Sequence, residues 1–207
     1  MSIAQYLDSI GVKVDEGYSQ QVPGQVRDLI DLTNGMNINI MEIGFNAGHS
    51  AEVFLRNNHR CTLTSFDLGL HEYVHHSKRY IDSTFPNRHT LILGDSTVTI
   101  PKYINDNSGR TFDVIFIDGG HEYAVAKADI ENCKMLATKD TIVMMDDVCS
   151  ADGQVANYVN GPTRAWKEYV KNGGIIELGN EDYVPWTNAH WGRGMTWGKY
   201  VFTQTPI

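Results

Sequence analysis

Five times along the chain a short apolar run stops at a glycine or an acid. Ile38, Ile40, Met41 and Ile43 run into Gly44, and Thr62 to Phe66 closes at Asp67. Thr90 to Leu93 ends in Gly94-Asp95-Ser96, Phe112 to Ile117 in Asp118, and Thr141 to Met145 in Asp146-Asp147. Apolar runs this short and this unbroken predict strands covered on both faces. Between them the apolar positions recur at helical spacing: His49 to Leu55, His71 to Ile81, a short stretch with Ile100, Tyr103 and Ile104, and one with Ala124, Ala128, Ile130, Cys133 and Leu136. Strand alternating with helix predicts an α/β fold, a doubly wound and mostly parallel sheet with right-handed crossovers.

The two ends of the chain differ from this repeat. Ile3 to Ile10 reads as a short helix ended by Gly11, and residues 1–21 as an N-terminal cap segment. Pro23 then opens a helix carrying Val26, Leu29, Ile30 and Leu32, which ends at Asn34-Gly35. Near the other end, Thr163 to Val170 predicts a helix stopped by Asn172-Gly173-Gly174. Ile175 to Leu178 and Met195 to Phe202 predict two strands with no helix between them. Such a pair is antiparallel and belongs at the sheet edge, completing a seven-stranded sheet. Residues 179–195, rich in Trp and Gly, read as a substrate loop within a single domain spanning 1–207.

In a parallel sheet all five strand-ending residues, Gly44, Asp67, Asp95, Asp118 and Asp146, fall on one rim, where open α/β sheets bind ligands. Any one of these acids can simply cap the helix that follows; five on one rim favour a site. Gly44 and Gly48 permit positive φ and close approach of backbone to a ligand. The free N–H groups of the helix opened by Gly48 suit a carboxylate. Asp67, about 20 residues beyond the glycine turn, stands where an acid grips a ribose hydroxyl pair.

Composition adds little that is specific. With 207 residues, 42% hydrophobic and 20% charged, the chain suits an ordinary globular domain. A net charge of −8 argues against nucleic acid as a partner. No stretch has the length of a membrane span and the start shows no signal peptide. Cys61, Cys133 and Cys149 lack metal-ligand spacing and read as reduced thiols, which points to a cytoplasmic protein; the partner expected is a small-molecule acceptor, with no membrane partner.

Glu42-x-Gly44-x-x-x-Gly48 is not a dinucleotide fingerprint, because Asn46 stands at the second glycine position. It resembles the first motif of class I S-adenosylmethionine-dependent methyltransferases, which also carry such a C-terminal strand pair. The run from Phe112 through Asp118-Gly119-Gly120-His121 to Tyr123, with Val143 to Val148, resembles the cation-dependent O-methyltransferases. These include the catechol and caffeoyl-coenzyme A enzymes, and more closely their bacterial relatives of the macrolide-sugar and cephalosporin type. The likeness runs from about Val22 to Val148 and loosely through the tail.

The resemblance implies a Rossmann-like fold, S-adenosylmethionine as cofactor and, in some members, pairing into homodimers. It implies cofactor contacts at Glu42, Gly44, Asn46, Gly48, Ser50, Asp67, Asp95, Ser96 and Asp118, with Asp95 and Ser96 at the adenine. It also implies a divalent cation, Mg²⁺ first and Mn²⁺ or Ca²⁺ as alternatives, held by Asp118, Asp146 and Asp147. Asp147 departs from the Asn of the plant and animal enzymes, and His121 stands where they place a catalytic lysine. His121 and Asp118 are therefore the catalytic candidates, His121 as general base or as the cap of its helix. His71, His75 and His76 read as a solvated face. Tyr183, Trp186, Trp191 and Trp197 read as an acceptor wall or as edge packing, and Arg193 as a contact for an acidic acceptor or a surface charge.

Overall fold

The computed structural model describes residues 1–17, 22–35, 37–150, 157–184 and 193–202. Seven strands form one sheet: β1 (Asn39–Ile43), β2 (Thr62–Asp67), β3 (His89–Leu93), β4 (Val114–Ile117), β5 (Ile142–Asp146), β6 (Ile175–Val184) and β7 (Arg193–Tyr200). Their order is β3-β2-β1-β4-β5-β7-β6. The first five are parallel, and β7 runs antiparallel to both β5 and β6. The expected edge pair is present, with β6 outermost.

Alternation along the strands builds two cores. Ile40, Leu63, Val114, Phe116 and Met144 face α1 (Ile3–Ser9), α2 (Pro23–Leu32), α3 (His49–Asn57) and α4 (Glu72–Thr84). Met41, Ile43, Ile115, Ile117 and Met145 face α5 (Ser96–Asp106), α6 (Tyr123–Lys134) and α7 (Asn157–Lys171). This period of two, with both faces apolar, is why the central strands read as unbroken runs.

The N-terminal helix is fastened to this frame. Ser2 and Gln5 form a capping box on α1, and the Ile3 N–H donates to both oxygens of buried Glu52 at 3.1 Å. The Tyr80 hydroxyl closes the same corner, with the Glu52 carboxyl at 2.9 Å and the Met1 carbonyl at 2.6 Å sharing its one proton. The cap segment thus packs through its first helix; residues 18–21 lie outside the described part.

Two elements are longer than the pattern predicts. α7 begins at Asn157 rather than at the expected Thr163, and carries Gly161-Pro162 within it. A Cβ on Gly161 would lie 2.1 Å from the His121 carbonyl oxygen, so the glycine lets α7 press against the loop after β4. β6 continues to Val184 through polar residues, with irregularities at Glu177/Gly179 and Asp182/Val184. A bulged edge strand facing solvent needs no apolar alternation. Residues 179–184 and 193–195 of the expected loop are therefore strand, and Pro185 to Gly192, with Trp186 and Trp191, fall outside the described residues. Trp197 packs against the first core and under Gly179, and Tyr183 donates to Asp28 of α2 at 2.7 Å. No described helix is long and apolar enough to cross a membrane, and all three cysteines are buried and outside any disulfide.

Candidate active site

Strand register places the candidates in one row. Ile43 is level with Phe66 and with Ile117, and Ile117 with Met145. The next residues, Gly44, Asp67, Asp118 and Asp146, therefore stand side by side at the carboxyl edge. Asp95 follows one turn beyond β3. The row straddles the gap between β1 and β4, where the crossover direction reverses and such sheets open a crevice.

The glycine turn is held from two sides. Gly44 has φ +92°, and its N–H donates to the Phe66 carbonyl at 2.8 Å. Asn46, at φ +47°, donates its N–H to one Asp67 oxygen at 2.7 Å, while the Gly69 N–H takes the other at 2.7 Å. Asp67 thus pins the turn to β2. Gly48, at φ +75°, is the N-cap of α3.

Glu42 and Ser50 lie under this turn rather than on it. Glu42 is fully buried, and its carboxyl accepts from Ser50 and, at 2.6 Å, from Ser65. Burial pushes the Glu42 carboxyl up to about 7. The Ser65 oxygen also meets His89 Nε2 at 3.0 Å. With Ser65 donating to Glu42, His89 must donate through Nε2–H, which fixes its tautomer. Burial, aided by Lys78, lowers His89 to about 3, and its ring stacks on Phe45 of the turn at 4.9 Å.

These two groups give opposite pH slopes. The folded state keeps the Glu42 proton between about 4.5 and 7, where the unfolded chain has lost it, so stability falls as pH rises through that window. His89 stays neutral in the folded state between 6.5 and about 3, where the unfolded chain takes a proton, so stability falls as pH drops. Denaturant unfolding of Glu42→Gln across this range should show an upward tilt against wild type as pH rises to 7, by up to about 3 kcal/mol. His89→Gln should show the opposite tilt, a relative gain toward low pH. Parallel profiles for all three proteins would contradict the network.

Asp95 caps α5, accepting from the Thr97 N–H at 2.9 Å and its hydroxyl at 2.7 Å, and Thr97 lowers its pKa. It remains exposed. Ser96 sits against Asp129, a buried α6 carboxyl raised to about 6 by burial. Leu68, Leu93 and Val98 stand exposed around Asp67 and Asp95 as an apolar rim that the periodicity does not reveal.

Across the β1–β4 gap, Asp118, Gly120, His121, Asp146, Asp147 and Pro162 line one narrow cleft. Burial first, then the charges of Asp146 and Asp147, raise the Asp118 carboxyl well above its usual range. Asp146 is raised by burial and by Asp147. His121 Nε2 lies 3.0 Å from Asp147 Oδ2, a bond that raises its pKa against partial burial. Arg193 Nη1 donates to Asp146 Oδ2 at 3.2 Å, with only 21% of its side chain exposed. Burial would lower the guanidinium pKa, but Asp146, Asp118 and Asp147 together carry it up. The Gln25 amide, from α2, is buried against Asp146 without completing a hydrogen bond. Arg193 and Gln25 were not separable from surface residues by sequence, since one opens a polar edge strand and the other sits in an amphipathic helix.

The acids suit a hard cation by chemistry, being all-oxygen donors. Their arrangement does not. Asp146 Oδ1 accepts from the Asp147 N–H at 2.9 Å and Oδ2 from Arg193, while Asp147 is held by His121. Among the described residues no three His, Cys, Asp or Glu side chains are grouped so as to hold a metal ion, the histidines of α4 included.

A β3-β2-β1-β4-β5-β7-β6 sheet with antiparallel β7 and flanking helices defines a Rossmann-like methyltransferase fold. A family model described as a methyltransferase domain matches residues 41–148, just over half of the chain, and the chain belongs to that family. No curated protein matches it. Similar solved structures include an O-methyltransferase from Bacillus cereus in complex with S-adenosylhomocysteine (15% identity, 95% of this chain and 88% of that one, TM-score 0.69). Another is a TDP-rhamnose 3′-O-methyltransferase of calicheamicin biosynthesis (18%, 95% and 85%, 0.62). A third is the N-methyltransferase NodS from Bradyrhizobium japonicum (14%, 90% and 98%, 0.61).

Proposed function

We propose that this protein transfers the methyl group of S-adenosylmethionine to a hydroxyl of a small organic or sugar-containing acceptor. The observation that carries this is the single row of Gly44, Asp67 and Asp118, with the His121–Asp147 pair opening directly beside it. The ribose would rest on Asp67 and the adenine between the apolar rim and Asp95. The methionine end would lie over Gly44 to Gly48, where the α3 N-terminus meets its carboxylate. Glu42 and Ser50 brace that turn from below.

The cleft then faces the methyl group. Asp147 holds His121 through Nε2–H and leaves Nδ1 with a free lone pair to take the acceptor's proton. The acceptor oxygen forms its bond to the methyl carbon as the carbon–sulfur bond breaks, and the sulfonium charge is neutralised. Holding the two reactants in line supplies much of the acceleration.

Incubation with methyl-labelled S-adenosylmethionine and a panel of alcohol, phenol and sugar acceptors tests the reading. Label should enter a hydroxyl acceptor, and His121→Phe should slow transfer about 10²- to 10⁴-fold while S-adenosylhomocysteine binding persists. Transfer confined to amines would replace it with a nitrogen acceptor, as in NodS. A second reading keeps the divalent cation, favoured by three carboxylates crowding one cleft with Asp118 raised by the other two. When bound, such an ion would acidify the acceptor hydroxyl. It requires Arg193 and His121 to leave their carboxylates first.

A further inference from the structure

We propose that Arg193 is the resident cation of the acidic cleft, standing where a divalent ion would otherwise balance Asp146, so that this chain needs no metal. The inference rests on reading that cleft as the acceptor site. Asp146 is wholly buried, and each of its oxygens already accepts from the protein, one from the Asp147 N–H and one from Arg193. A carboxylate so engaged has the environment of a structural anion with a fixed partner. A free metal ligand would keep an oxygen open.

The placement of Arg193 is built into the fold. It is the first residue of β7, two positions before Met195, which pairs with Asp146 itself. Between them stands Gly194, where a Cβ would lie 2.3 Å from the Val148 carbonyl oxygen. That close approach presses β7 onto the chain just after Asp147 and brings the guanidinium to Asp146. On the other side Val184 of β6 is its register partner. A guanidinium carries five N–H donors, and among the described residues Asp146 takes one. A further N–H of the same guanidinium would meet an acceptor oxygen as it loses its proton to His121, so Arg193 would also supply positive charge to that oxygen.

Mn²⁺ provides the test, because its free ion is counted by electron paramagnetic resonance without any acceptor. Wild-type protein, Arg193→Met and Arg193→Lys would each be titrated with Mn²⁺ and melted with chelator or with Mn²⁺. Wild type should leave the free Mn²⁺ signal unchanged and melt at one temperature in both conditions, and R193K should behave likewise. R193M should melt lower, take up Mn²⁺ and regain melting temperature with it. One equivalent of Mn²⁺ bound by wild type and lost in Asp146→Asn would overturn the proposal. So would a folded R193M that takes up none. Should R193M fail to fold, the wild-type titration decides alone. None of these readouts depends on methyl transfer, so failure here is distinct from failure to bind S-adenosylhomocysteine.

Discussion

Gly44→Ala is expected to lose the folded state, or to retain it only with a destabilisation of about 4 kcal/mol or more. Two constraints act together. The residue has φ +92°, where an L side chain is strained, and its Cβ would stand 1.8 Å from the Asp118 carbonyl oxygen. Relief would require the ends of β1 and β4 to part. That would break the bond from the Asp118 N–H to the Ile43 carbonyl at 2.9 Å and shift the turn proposed to meet the cofactor. Gly109→Ala is the control, since its φ of +82° is similar and nothing lies within 4 Å of its Cβ. It should cost only about 1 kcal/mol, the backbone part alone. Urea unfolding of both separates backbone strain from collision, and a small, equal loss in the two would refute the close approach at Gly44.

Asp67→Ala should cost the cofactor site most among substitutions that leave the sheet intact. It removes the acceptor for two backbone N–H groups, Asn46 and Gly69, and so the side-chain tie between the glycine turn and β2, leaving only the Gly44 N–H to the Phe66 carbonyl. Hydrogen bonds to a charged group contribute about 1.5–3 kcal/mol each. Loss of these and of the proposed ribose contacts should weaken S-adenosylhomocysteine binding at least about a hundredfold. Asp67→Asn keeps one acceptor oxygen and should fall between. Calorimetric titration of the three proteins, with melting curves to show each is folded, checks the order. Wild-type affinity in Asp67→Ala would place the ribose elsewhere.

The central sheet was legible because its strands are buried on both faces, so each appears as an apolar run with its ligand-side end marked by a polar residue. Gly44, Asp67, Asp118 and Asp146 could be put on one rim from that alone, and the register confirms the row. What escaped has a physical cause in each case. β6 is a bulged edge strand, and its Gly179 to Asp182 segment carries no apolar period. Gly161-Pro162 looks like a helix stop, yet the glycine is there so that α7 can touch the loop holding His121. Glu42, Ser65 and His89 come from three strands, and nothing local announces that they share a buried network. The Arg193–Asp146 pair joins residues from antiparallel strands whose register only the fold sets. It gives Asp146, one of the three acids expected to hold a metal, a partner within the protein.

Calorimetric titration of S-adenosylhomocysteine into the chelator-treated protein tests the account most directly. The account predicts one site per chain with micromolar affinity, about −8 kcal/mol, unchanged when Mg²⁺ or Mn²⁺ is restored. No heat of binding with or without metal would contradict it, and leave the glycine turn as packing alone.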